Sequence, residues 1–258
     1  MYFSQFGEDR ALSRIFAGVD KGLCVEVGAN DGVHGSTTLH FERKGWDCIL
    51  VEPNPVLAAQ LRQVRTGRVF ECAVSSSSGT AILQLAEGDG LAHAVSTLEQ
   101  GAEAEETLRR HGAKVRPVEV ATRRLDDILN DAMAGQIHFV SIDVEGHELS
   151  VLQGFSLDRW SPIILIIEDN SRVRDRRVRD HLHSRGYVRF RRTGVNDWYA
   201  PVADARFVGR LRKLRYGGSV VSNFARGIWK AAKSRIARVP GVLKLVHRVR
   251  GRRSGGSG

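Results

Sequence analysis

Short, almost continuous apolar runs recur along this sequence, separated by longer amphipathic stretches, and that alternation restricts the fold more than any other feature. Leu23-Cys24-Val25-Glu26-Val27, Cys48-Ile49-Leu50-Val51-Glu52, residues 69–74, residues 137–143 and residues 163–168 read as strands. They contain too few polar residues for a sheet with a solvated face and suit a mainly parallel sheet covered by helices on both faces, an α/β architecture. Helices are expected through Arg43-Lys44-Gly45, around Leu57 and Leu61, behind a Thr122 cap with Leu125, Ile128 and Leu129, and over residues 145–153. Residues 80–85 and 115–120 read as additional antiparallel strands around a Gly- and Ala-rich insertion, 87–111, that is a candidate lid. Residues 187–191 and 198–200 read as a terminal hairpin.

Charge divides the chain in two. Its formal net charge is +10, yet residues 205–258 hold 15 Lys and Arg and no Asp or Glu. The remaining 24 of 39 basic residues face all 29 acidic ones, so an acidic body, 1–204, carries a basic tail, 205–258. No apolar run approaches the roughly 18–20 residues of a membrane-spanning helix, and the N-terminal residues lack the basic start and apolar middle of a signal peptide. Cys24, Cys48 and Cys72 form no CxxC pair and read as reduced core residues. A cytosolic protein is the expectation, peripheral at the inner membrane face if the tail docks there.

Open parallel sheets bind ligands beyond the carboxyl ends of their strands, so those ends hold the candidate site. The first closes in Gly28-Ala29-Asn30-Asp31-Gly32. A dinucleotide fingerprint would read G-x-G-x-x-G; here Asn30 stands at the second glycine and Asp31 adds a carboxylate that disfavours a pyrophosphate. The pattern suits a ligand with an ammonium and a sulfonium, S-adenosylmethionine. Glu52, 24 residues after Gly28, ends the second strand where an acid accepts hydrogen bonds from ribose hydroxyls. Ala73 and Val74 are a candidate wall for adenine. The richest group is Ser141-Ile142-Asp143-Val144-Glu145-Gly146-His147-Glu148, with Glu168 one strand over. So many ionisable groups at the expected cleft point to chemistry.

These segments, together with Ser4-Gln5-Phe6-Gly7-Glu8-Asp9, Val51-Glu52-Pro53-Asn54-Pro55, Leu125-Asp126-Asp127-Ile128 and Val151-Leu152-Gln153-Gly154, resemble the FkbM-type methyltransferases over residues 2–201. The resemblance implies a Rossmann-like class I methyltransferase fold of about seven strands, one antiparallel, and O-methylation of sugars or secondary-metabolite hydroxyls with S-adenosylmethionine. It implies Glu26, Gly28 and Asn30 at the methionine end, Glu52 on ribose, and Asp143-Val144-Glu145-Gly146 on the active-site floor.

Glu145 or His147 is the candidate general base, with Asp143 and Glu168 orienting it or contacting the cofactor. A divalent metal gripped by Asp143 and Glu145 is a competing means of acidifying the acceptor hydroxyl. His34 is a candidate acceptor contact. The expected partner is a hydroxyl-bearing small molecule or glycan. The alternatives are an NAD-dependent oxidoreductase, which the broken glycine pattern opposes, and a non-catalytic adaptor. Apolar residues at helical spacing from Phe207 onward make the tail a set of short amphipathic helices suited to an anionic membrane or a protein partner. Nothing in it resembles a nucleic-acid-binding module, and the closing Ser254-Gly255-Gly256-Ser257-Gly258 resembles a flexible linker.

Overall fold

The computed structural model describes residues 1–87, 114–171 and 175–208. Strands β1 (Leu23–Val27), β2 (Asp47–Val51), β3 (Arg68–Phe70), β7 (Ile137–Ile142) and β8 (Ile164–Glu168) run parallel. A hairpin of β9 (Tyr187–Thr193) and β10 (Asn196–Pro201) follows. The sheet order is β3-β2-β1-β7-β8-β10-β9, with β10 antiparallel to both its neighbours, so one strand of seven opposes the rest. The order reverses at β1, between β2 and β7, and a crevice therefore opens at their carboxyl ends.

Period-two alternation explains the double burial. Val25, Val27, Ile49, Val51, Val140, Leu165 and Ile167 point to one face. Helices α4 (Leu125–Asp131), α5 (Glu148–Gln153) and α7 (Arg177–Ser184) cover it with Ile128, Val151 and Leu182. The intervening Cys24, Cys48, Leu50, Ile164 and Ile166 point to the other face. There α1 (Glu8–Ile15), α2 (Leu39–Glu42) and α3 (Pro55–Val64) contribute Leu12, Phe41 and Leu61. All three cysteines are free and buried, and Cys24 Sγ lies 3.1 Å from Cys48 Sγ across neighbouring strands.

Four local expectations are corrected. The third strand is two: β3 stays in the main sheet, while β4 (Ala73–Val74) leaves it to pair with β6 (Lys114–Arg123), which also pairs antiparallel with β5 (Gly79–Glu87). Thr122 belongs to β6 and caps nothing; α4 starts after Arg124, in extended conformation. The helix expected through residues 43–45 is the four-residue α2, because residues 28–38 form a long loop held by buried polar groups. The helix expected from Glu145 begins at Glu148, because the preceding turn places Glu145 and Gly146 at positive φ.

The short α6 (Leu157–Trp160) precedes β8. After β10, α8 (Ala205–Val208) packs Phe207 on Phe190, with ring centroids 4.9 Å apart. The chain separates into units at Lys213/Leu214. The expected tail helices beyond α8, and most of the candidate lid, lie outside the described residues. Among the described residues no helix is long and apolar enough to cross a membrane.

Candidate active site

A cavity of about 440 Å³ opens at the carboxyl ends of β1, β2, β7 and β8, within the usual size of a small-molecule site. Gly28 creates its throat. Its φ is +82°, and a Cβ there would stand 1.8 Å from the Asp143 carbonyl oxygen, so the tips of β1 and β7 approach more closely than any side chain permits. Gly28→Ala is accordingly expected to cost more than about 1 kcal/mol and to spread the two strand ends. A lowered melting temperature together with weakened S-adenosylhomocysteine binding checks this, and an unchanged protein contradicts it.

Asn30, at φ +52°, turns the chain so that its backbone N–H donates to Glu52 Oε2 at 2.8 Å, while Asn54 N–H donates to Glu52 Oε1 at 2.9 Å. Burial dominates those two amides and pushes the Glu52 carboxyl up to about 7. Beside it Leu57, Cys72, Ala73, Val74 and Leu83 form an apolar shelf on the cavity wall.

Glu26 also lines the cavity, but its oxygens hold the protein together. They accept hydrogen bonds from Ser36 Oγ, Thr37 N–H and Thr38 Oγ1, with Arg65 Nη1 at 3.7 Å. Asp31 and Gly32 do not line the cavity. Asp31 accepts from the Val33 and His34 amides and pairs with the His34 ring. Partial burial works against its ionised form, but the His34 contact and the turn amides outweigh it and hold Asp31 below the usual carboxylate range. Gly32 is a packing glycine, since a Cβ would meet Leu61 at 2.3 Å. His34 is exposed and lies at the cavity wall.

Asp143, Glu145 and Glu168 form the floor, with ligand oxygens all within 4.8 Å of one another. Asp143 has surface open to the cavity yet stands deep among protein atoms. Desolvation and the nearby Glu26 and Glu8 raise its pKa. Glu168, hydrogen-bonded to Asp143, is raised by burial and by the charges of Asp143 and Glu145. Burial first, then Asp143 and Glu148, bring Glu145 to about 7. His147 Nε2 lies 3.1 Å from Ser75 Oγ. Glu148 turns inward and accepts from Gly146 N–H at 3.0 Å, which fixes the turn that displays Glu145.

Ser36, Thr37 and Asn196 line the cavity without a motif that marks them, and Gln5 and Ser141 line it from segments that the sequence marks without giving them a role of their own. Ser141 was visible as the residue two before Asp143 on the same strand. Asn196 comes from the far end of the body and has no local signal, whereas Gln5 lies in the Ser4–Asp9 segment of the resemblance.

The Methyltransferase FkbM domain model matches residues 26–189. The 2-O-methyltransferase NoeI of Sinorhizobium fredii is 29% identical over 142 residues, taking in 51% of this chain and 56% of that protein, so the match spans about half of that relative's length. The solved structure of M. capricolum TrmK in complex with S-adenosylhomocysteine aligns over 94% of this chain and 93% of that one, with a TM-score of 0.42 and 10% identity. The family match sets aside the NAD-dependent oxidoreductase. With the matched domain running from the buried acid of β1 into β9 and enclosing the whole carboxyl floor, the chain belongs to the FkbM-type methyltransferase family.

Proposed function

We propose that the cavity binds S-adenosylmethionine and that the protein transfers its methyl group to a hydroxyl of a sugar, glycan or glycosylated metabolite. The observation that carries this reading is the meeting of Glu26, Glu52, Asp143, Glu145 and Glu168 around one cavity with an apolar shelf on one side. The residues fit the cofactor. The shelf of Leu57, Ala73, Val74 and Leu83 suits a flat aromatic base. Glu52, whose oxygens each keep a lone pair beyond the Asn30 and Asn54 amides, suits a vicinal diol. The acidic floor and the Gly28–Asn30 turn suit an ammonium and a sulfonium. Bound there, S-adenosylmethionine would supply a methyl group on a positively charged sulfur.

The chain's own residues supply the rest. The Gly28 throat and the carboxyl floor hold the two reactants in line, an effect worth roughly 7–11 kcal/mol when the geometry is good. Glu145, half-ionised near neutrality, takes the acceptor hydroxyl's proton. His147 fits that role less well, because its Nε2 is turned to Ser75 beside the apolar shelf. The Asp143–Glu168 pair donates and accepts hydrogen bonds beside the reacting oxygen.

Closeness of the oxygens of Asp143, Glu145 and Glu168 favours a second reading, in which a divalent cation held there acidifies the hydroxyl. Activity unaffected by a chelator removes it.

The test is transfer of labelled methyl from S-adenosylmethionine to a panel of neutral glycosides, read by mass spectrometry. A methyl ether on a sugar hydroxyl is the expected product. Methylation confined to nitrogen or carboxylate acceptors contradicts the reading.

A further inference from the structure

The sheet order divides the cavity. Glu52, at the tip of β2, lies to one side of β1, and the tips of β7, β8 and β10 lie to the other. Asn196 opens β10 as the register partner of Glu168, and both line the cavity. Its Nδ2 donates to Glu8 Oε1 at 3.1 Å. The same Glu8 oxygen accepts from Thr193 Oγ1 at 2.6 Å, and Thr193 Oγ1 in turn accepts from Trp198 Nε1 at 2.8 Å. Glu8 Oε2 accepts from Phe6 N–H at 2.9 Å. Glu8 is only 1% exposed, so a buried carboxylate joins the N-terminal segment to the hairpin and sets the plane of the Asn196 amide. Gln5, from the same segment, stands in the cavity wall beside the Ser4–Gly35 bridge. Gln5 and Glu8 belong to the Ser4–Asp9 segment of the resemblance, and both, with Asn196, lie outside the 26–189 stretch that the domain model matches.

An amide carries a donor and an acceptor and no charge, which suits hydroxyls. Asp143, Glu145 and Glu168 press against this side, and among the described residues no Lys or Arg lines the cavity. A phosphate or carboxylate brought here would meet like charges in a partly desolvated site. Resting on the methyltransferase reading, we infer that the β7–β8–β10 side is the acceptor subsite for an uncharged polyhydroxyl group. In it Asn196, oriented by Glu8 and flanked by Gln5, selects the acceptor by hydrogen-bonding a hydroxyl other than the one methylated. Asn196 and Gln5 contact the acceptor; Glu8 is a positioning residue.

The experiment titrates the full chain, saturated with S-adenosylhomocysteine, with methyl glycosides of neutral hexoses and 6-deoxyhexoses and with hexose 6-phosphates, by ligand-observed NMR. A neutral glycoside is expected to bind at least about tenfold more tightly than the phosphates. Asn196→Ala weakens it about tenfold with S-adenosylhomocysteine affinity within about twofold. Glu8→Gln moves glycoside affinity the same way by less, again without moving cofactor affinity, a split that a general loss of structure would not give. Gln5→Ala, at an exposed position that tolerates truncation, weakens the glycoside in the same manner. Phosphates binding as well as neutral sugars, no glycoside binding to the saturated protein, or unchanged glycoside affinity in Asn196→Ala overturns the inference alone. Failure of the wild type to bind S-adenosylhomocysteine sinks the methyltransferase reading with it.

Discussion

Glu145→Gln is expected to lower kcat by about 10²- to 10⁴-fold, the usual worth of a general base, and to leave S-adenosylhomocysteine affinity within about twofold. The side chain is presented by a turn in which Glu145 itself stands at φ +51°, a conformation that a non-glycine residue keeps only when its surroundings impose it. Glu148 supplies that restraint through the Gly146 and Val144 amides. Burial and the neighbouring Asp143 and Glu148 bring the Glu145 carboxyl to about 7, where a base combines an adequate ionised fraction with real proton affinity. The ionised form accepts the proton, so the wild-type rate rises with pH through about 7 and then levels. Glutamine keeps the shape and the cavity contacts but cannot take a proton. The variant therefore loses both the rate and that limb of the profile. Full turnover in Glu145→Gln with bound cofactor removes Glu145 from the role.

The largest effect on stability is expected from Arg65→Met, at about 3–5 kcal/mol, the typical cost of breaking a buried ion pair by removing one partner. The Arg65 side chain is fully enclosed. It donates to Glu42 Oε2 at 3.1 Å, the Gly32 carbonyl at 2.9 Å, Ser36 Oγ at 3.2 Å and Thr38 Oγ1 at 2.8 Å, and stands 3.7 Å from Glu26. Methionine fills much of the volume and none of these bonds, leaving two carboxylates buried without their cation. At about 2–4 °C per kcal/mol for a chain of this size, the melting temperature falls by roughly 10 °C. Since Glu26 and Arg65 together hold the 36–38 loop against the cavity, cofactor affinity falls too. Thermal unfolding and calorimetry check both, and a variant as stable as the wild type contradicts the network's importance.

The parts of this molecule legible in its sequence are those set by local periodicity. Strand ends follow from where apolar runs stop, which marks Glu52, Asp143 and Glu168, while the resemblance marks Glu26, and all four line one cavity. The double-covered sheet with one opposed strand follows from the same runs and the resemblance. What the sequence hid depends on partners far along the chain. Glu26 at a strand end looks free for a ligand until Arg65 and the 36–38 loop are seen to claim it. Asp31 resembles a cofactor contact until its turn amides and His34 are placed. Cys72 interrupts no apolar run, so nothing local shows that β4 departs to pair with β6. Gln5 and Asn196 reach the cavity because Glu8 bonds Thr193 and Asn196 across 185 and 188 residues of chain, a separation beyond any periodic signal.

If the acid-ringed cavity is a sulfonium cofactor site, calorimetry on the full chain reads it without any acceptor present. S-adenosylmethionine and S-adenosylhomocysteine are expected to bind one to one, with NAD giving no heat and Glu52→Gln weakening both ligands. Titrations in which neither ligand binds, or in which NAD binds in their place, would rule out a sulfonium site in this cavity.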